Sequence, residues 1–532
     1  MENFDAVVVG AGFSGLYMLH RLRQAGLSVK VYEAGDDVGG VWYWNRYPGA
    51  KCDIESIYYN YTFSEELLQE WTWESRYPDQ PSILRYLNHV ADRFDLRRGI
   101  QFNTRVLGAQ YDADSRRWQV RCDDGSVVSA RYFISAAGVL SSSNTPDFAG
   151  LDQFEGEAFH TGQWPHQPVD FTGKRVGVIG TGSSGIQAIP VIAEQAGHLF
   201  VFQRTPQYST PAGNQPYAAE FIREVKANYG EIKQIMRQSW AGAPAPTIGD
   251  SALVATPEER QSTYEARWQE GGWLMTLYRD LIVDADANAT VGEFIRGKIR
   301  SVVRDPAVAE KLMPNYQYAT KRPVLDTGYF ETFNRDNVTL VDVKSAPIVE
   351  FTAKGLRTSE GEYELDAVVF ATGYDAITGS LFRMDIRGRD GVALKDKWAD
   401  GVRSYLGLST AGFPNFFTIT GPESPSVLTN MVLSIEQHVE WIADCIEHMR
   451  AQGALSIEAT PEAEMGWSQH CKEVADTTLF PRADSWYTGA NIAGKSRGFP
   501  IYVAGANVYR DICDRVAANG YEGFVLESGE QR

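Results

Sequence analysis

Short apolar runs that end in glycine dominate the pattern of this chain. Residues 5–35, DAVVVGAGFSGLYMLHRLRQAGLSVKVYEAG, open with a strand pattern from Asp5 to Val9 and pass a glycine turn. Apolar positions at helical spacing follow from Ser14 to Gln24, then a second strand pattern from Ser28 to Glu33. The same order returns at 174–208, KRVGVIGTGSSGIQAIPVIAEQAGHLFVFQRTPQY. Two further runs, Tyr132–Ser141 and Ala367–Ala376, carry a strand pattern into a small residue and a glycine, an ending that lets backbone approach a ligand closely. Strands alternating with helices predict parallel sheets and an α/β fold. Between 211 and 319 the pattern turns helical. Thr256 stands as a cap before Pro257, and Phe294, Ile295, Ile299, Val302 and Val303 recur at helical spacing, with Pro306 expected to stop that helix.

The glycines carry chemistry. Gly10, Gly12 and Gly15 form G-x-G-x-x-G between a strand and a helix, where they allow a tight turn, close approach of a pyrophosphate and close helix–strand packing. Glu33, ending the next strand, is placed to accept hydrogen bonds from ribose hydroxyls. Gly180, Gly182 and Gly185, with Ser183 opening the helix, repeat the cradle. Where the first unit has Glu33, the second has Arg204 and Thr205. A guanidinium and a hydroxyl can bind a 2'-phosphate that an acid would repel, so the second dinucleotide is expected to be NADP and the first FAD.

Composition narrows the partners. In 532 residues, 50 Lys and Arg face 68 Asp and Glu, a net charge of −18 that opposes non-specific attraction to nucleic acid or anionic lipid. The five cysteines are scattered without C-x-x-C, which excludes a disulfide reductase, offers no metal site and fits a reducing cytoplasm. Ser404–Pro422 is uncharged, but Gly407, Gly412 and Pro414 break it, so a buried strand-and-loop region is expected there and no membrane span. A small-molecule enzyme acting as a monomer is the expectation.

Two long motifs resemble a known family. FEGEAFHTGQWP, Phe154 to Pro165, fits F-x-G-x-x-x-H-x-x-x-W-P, and GGVWYWNRYPGAKCD, Gly39 to Asp53, fits G-G-x-W-x-x-x-x-Y-P-G-x-x-x-D; both are fingerprints of type I Baeyer-Villiger monooxygenases. Within that family GPESPSVLTN and SWYTGANIAGK look closer to phenylacetone and steroid monooxygenases than to cyclohexanone enzymes. The resemblance implies two Rossmann-like domains with a helical insertion: an FAD-binding domain from 1–140 and 375–532, an NADP-binding domain from 141–210 and 320–374, and the insertion from 211–319. It implies NADPH and O2 as cosubstrates and conversion of a ketone to an ester or lactone through a C4a-peroxyflavin and a Criegee intermediate. It also assigns residues. Arg322 matches the active-site arginine, Asp53 the carboxylate that aims it, Lys321 a 2'-phosphate ligand and Trp42 a cofactor contact. Trp486 and Lys495 match a loop closing over NADP and substrate, and Ser426, Val427 and Leu428 match a loop lining the substrate pocket. His160 is expected as a hydrogen-bonder at a flexing junction and not as a proton-transfer catalyst. Oxygenation of nitrogen or sulfur, which prefers a protonated hydroperoxide, is the competing reading, and a non-catalytic NADPH sensor a weaker one.

Overall fold

A computed structural model describes residues 1–528. Glu2–Val9 lies at the heart of an eight-stranded sheet, paired in parallel with Val29–Tyr32 on one side and Val127–Ser135 on the other. The strands Phe416–Thr418 and Asp385–Arg387 come from far along the chain to join this sheet. A second sheet has five strands, all parallel, in the order Val338–Asp342, His198–Gln203, Arg175–Ile179, Ala367–Phe370, Glu157–His160. Each glycine turn leads from a central parallel strand into a helix, Phe13–Gln24 or Ser183–Gln195, at the carboxyl edge of its sheet, where open α/β sheets bind ligands.

The helical segment has no core of its own. Leu281, Val291, Ile295 and Ile299 pack into the same apolar cluster as Val176 and Val201 of the second sheet and Ile189 of the helix Ser183–Gln195. Thr256 does cap Pro257–Glu270, in a capping box with Glu259. Pro306 departs from expectation. The helix Ala285–Val302 has already ended before it, and Pro306 is the first residue of the next helix, capped by Asp305. Proline lacks the N–H that a first-turn position would leave unpaired anyway, so a proline after a helical run can open a helix as readily as close one. Ser404–Pro422 is mostly buried loop around the strand Phe416–Thr418. Among the described residues no helix is long and apolar enough to cross a membrane.

One long helix, Met431–Ala451, packs against the helix Phe13–Gln24 and carries a buried acid. Glu436 accepts the Thr62 N–H at 2.6 Å and the Thr62 hydroxyl at 2.7 Å, and burial pushes its carboxyl up to about 7. The folded carboxyl therefore keeps a proton between the ordinary value near 4.5 and about 7, where the unfolded one has lost it. Stability from this group is present in full below that window and is lost as pH rises through it. Glu436→Gln, which keeps the shape of the protonated acid, should raise Tm at pH 8 and leave it nearly unchanged at pH 5. Equal shifts at both pH values would contradict the assignment.

Candidate active site

Both cradles are built from the same backbone geometry. Gly10 and Gly180 have φ of +101° and +109°, in the region that glycine alone adopts freely. A Cβ on Gly15 would lie 1.8 Å from the Gly10 carbonyl oxygen, and one on Gly185 would lie 2.3 Å from that of Gly180. The helix after each turn starts at Gly12 or Gly182, with no side chain capping its first N–H groups. Those unpaired donors suit a pyrophosphate, and nothing in the protein lies within 4 Å of the Cβ position of Gly182. Glu33 is buried, with its carboxylate fixed by the N–H groups of Ala11 (2.7 Å) and Gly35 (2.8 Å) at the mouth of the first turn. Desolvation raises its pKa, and the two N–H donors work against that shift.

The two turns open onto one cavity of about 1220 Å³, lined by Gly10, Gly12, Glu33 and Trp42 on one side and Gly180, Gly182, Ser183, Arg204 and Thr205 on the other. Pockets for a single small ligand run to roughly 300–1,000 Å³, so this one has room for more than one. Arg322 and Asp53 stand at the junction. Arg322 donates from Nε (3.0 Å) and Nη2 (2.7 Å) to Asp53 Oδ2, and from Nη1 to the Val427 carbonyl at 2.5 Å. Its guanidinium carbon sits 5.1 Å from the centre of the Trp273 ring. Burial works to lower its pKa, but Asp53 more than offsets that, and the group stays cationic. Lys321 donates to the Asp484 carbonyl and lines the cavity with Arg204; burial lowers its pKa, with the Asp484 charge opposing that shift and the Arg204 charge adding to it. Two cations lining the same cavity beside the second cradle make a site for an anion.

The fingerprint at 154–165 explains how the walls meet. His160 Nδ1 accepts the Gly162 N–H at 2.9 Å, so its own proton is on Nε2, which lies 3.3 Å from the Asn144 carbonyl and 3.4 Å from the Thr372 hydroxyl. Asn144 and Thr372 belong to the two chain crossings between the sheets. His160 joins them and does not line the cavity, and burial lowers its pKa further below that of an ordinary histidine. Gly156 lets its strand approach the Asp366 carbonyl, 2.7 Å from where a Cβ would stand, and Trp164 is buried against Phe159 and Phe171.

Other expectations divide. Trp486 lines the cavity, while Lys495 reaches Asp375 Oδ1 (2.5 Å) and the Ala376 carbonyl (2.7 Å), tying the 485–495 loop to the second chain crossing. Of Ser426, Val427 and Leu428 only Val427 lines the cavity, with Thr429 and Met431 after it. These three form one turn of tight helix, which can aim only one of them at a given wall, and Ser426 and Leu428 are buried behind it. Two residues without a role in the sequence reading belong here. Gln187, two places beyond Gly185, accepts from the Tyr47 hydroxyl at 2.8 Å and donates to the Lys51 carbonyl at 3.0 Å, gripping the segment that ends at Asp53. Tyr487 stands beside Arg322, with its hydroxyl pushed up to about 12 by burial. Nothing in the local sequence marks either. All five cysteines are free and buried, and no acid, histidine or cysteine cluster among the described residues could hold a metal.

Comparison with known proteins agrees with this geometry. Residues 5–218 match the flavin-binding monooxygenase-like family. A Baeyer-Villiger monooxygenase of Pseudooceanicola batsensis is 48% identical over 99% of this chain and 96% of its own length. A phenazine N-monooxygenase of Lysobacter antibioticus is 44% identical over 99% of this chain and 97% of its own. The solved structure of an oxidised steroid monooxygenase bound to NADP superimposes with a TM-score of 0.95 at 54% identity, covering 99% of this chain and all of that one.

Proposed function

The chain belongs to the Baeyer-Villiger family of flavin-dependent monooxygenases, and from that premise we propose how its residues serve the oxidation of a ketone to an ester or lactone with FAD, NADPH and O2. The Arg322–Asp53 pair at the junction of two dinucleotide cradles is the observation that carries this reading. Bound and reduced, the flavin activates dioxygen and supplies the oxygen atom that enters the substrate.

The residues do the rest. The free N–H groups after Gly10–Gly15 would hold the pyrophosphate of FAD and Glu33 its ribose, with Trp42 a further cofactor contact. The matching groups after Gly180–Gly185, with Ser183, hold the pyrophosphate of NADP. Arg204, Thr205 and Lys321 would take the 2'-phosphate, and the loop of Trp486 would close over NADP and substrate. Oxygen insertion into a ketone builds negative charge on oxygen atoms, and a group that stabilises the charge without surrendering a proton keeps the nucleophile alive. A guanidinium does so, because it donates hydrogen bonds but stays protonated. Asp53 fixes its direction. In this reading residues 1–140 and 375–532 serve FAD, 141–210 and 320–374 serve NADP, and 211–319 brace the latter. Every one of these groups comes from a single chain, so a monomer is sufficient, and five unpaired cysteines suit the cytoplasm.

N-oxygenation is a second reading, favoured by the phenazine-acting relative. A panel of aryl-acetones, small cyclic ketones, steroids and phenazines, with NADPH consumption and products followed together, separates the two. Ester or lactone formation is expected, and N-oxide as the sole product would replace this reading by the other. The nucleotide assignment has its own test. Arg204→Glu exchanges a charge-assisted hydrogen bond, worth about 1.5–3 kcal/mol, for repulsion, so the ratio of kcat/KM for NADPH over NADH should fall about tenfold or more. An unchanged ratio removes Arg204 from the 2'-phosphate.

A further inference from the structure

Three residues of the segment 418–429 adopt left-handed backbone without being glycine: Thr420 (φ +53°), Glu423 (φ +69°) and Ser426 (φ +44°). Such strain persists only where the surroundings over-determine it, and it gathers at functional sites. What determines it here is mainly Glu423. One carboxylate oxygen of this buried side chain, Oε2, accepts the Ser404 N–H at 2.8 Å and the Ser468 hydroxyl at 2.9 Å, and the Ser404 hydroxyl lies 2.9 Å from it as well. The backbone is tied in every direction. The Glu423 N–H donates to the Pro500 carbonyl at 2.9 Å, the Glu423 carbonyl accepts from Trp467 Nε1 at 3.2 Å, and the Ser424 carbonyl accepts the Tyr502 N–H at 2.9 Å. Burial pushes the carboxyl up to about 7, so the chain keeps here both a strained backbone and a buried acid.

Two cavity walls spring from this point. Four residues beyond Glu423, the Val427 carbonyl takes a hydrogen bond from Arg322, and Val427, Thr429 and Met431 line the cavity. Pro500 and Tyr502, which Glu423 and Ser424 hold, come directly after the loop that carries Trp486 and Lys495. We propose that Glu423 is a positioning residue for ketone oxidation: its carboxylate, anchored on Ser404 and Ser468, fixes the backbone turn at 423–424 that holds Pro500 and Tyr502 and leads into the Val427 segment, setting the third hydrogen bond of Arg322 and the shape of the substrate wall. It touches neither substrate nor cofactor and acts through Val427. Its role rests on that of Arg322 in ketone oxidation.

Glu423→Gly tests it, because glycine adopts φ near +69° freely and removes only the carboxylate. Flavin content and the anaerobic rate of flavin reduction by NADPH should stay at wild-type values, while Tm falls because the buried Ser404 N–H loses its acceptor. KM for the ketone should rise by up to about tenfold as the wall formed by Val427, Thr429 and Met431 loses its fixed shape, with kcat less affected. The ratio of kcat/KM between a small and a bulky ketone should change, and Glu423→Gln, which keeps an acceptor for the Ser404 N–H, should recover most of both effects. If the glycine variant does not fold, Ser468→Ala, which removes one donor and leaves the backbone intact, should shift the same ratio in the same direction. Wild-type KM and ketone preference in the folded glycine variant, or in Ser468→Ala, overturn the proposal. A wild-type enzyme that makes no ester from any ketone would instead overturn the reading of Arg322.

Discussion

Arg322→Ala should bind flavin normally and make almost no ester. Its guanidinium is held by Asp53 and the Val427 carbonyl and bonds to no residue of the Gly10–Gly15 turn, so the flavin site loses nothing directly. Losing a preorganised donor to a developing oxyanion costs roughly a hundredfold to a thousandfold in rate. NADPH that is still consumed should appear as hydrogen peroxide. Arg322→Lys should recover little, since an ammonium lacks the planar fork that engages Asp53 and Val427 together and can give up a proton. Asp53→Ala should show a milder defect of the same kind, because aim is lost and charge is not. Flavin-loaded Arg322→Ala enzyme that forms ester at wild-type rate and coupling would refute the role.

Gly15→Ala should yield protein without flavin. The added methyl would stand 1.8 Å from the Gly10 carbonyl oxygen, and backbone cannot step aside as the end of a side chain can. Opening that turn exceeds the about 1–3 kcal/mol of ordinary overpacking, so FAD affinity should fall by about a hundredfold or more. Gly185→Ala, with its contact at 2.3 Å from Gly180, should keep the yellow colour and lose reduction by NADPH. Absorbance of the purified variants reads the first effect and anaerobic bleaching the second. A Gly15→Ala protein with a full complement of FAD would show that this cradle does not hold it.

The cradles are legible in the sequence because their physics is local. A tight turn, an uncapped helix and a close carbonyl all come from three glycines at set spacing between a strand and a helix. Arg204 is found by its offset within the same unit. Asp53 and Arg322 lie far apart in the chain, and only resemblance to a family joins them. Resemblance also groups Ser426, Val427 and Leu428 as pocket residues, whereas helical geometry turns a single member of the three toward the cavity. Gln187 and Glu423 are silent in the sequence for another reason. A polar side chain that grips a distant loop has no local signature, and its value appears only when the partner backbone, at Lys51 or Ser404, is brought beside it. Pro306 reads as a stop because proline commonly terminates a helical run, yet in the folded chain it opens the helix Pro306–Leu312.

Labelled dioxygen tests the central claim most directly. The enzyme is incubated with NADPH, the ketone panel and ¹⁸O₂, and the products are analysed by mass spectrometry beside NADPH and peroxide. The account predicts an ester or lactone carrying one ¹⁸O atom for each NADPH consumed, with little peroxide. NADPH oxidation that ends in peroxide for every ketone, or an ester without label, would contradict it.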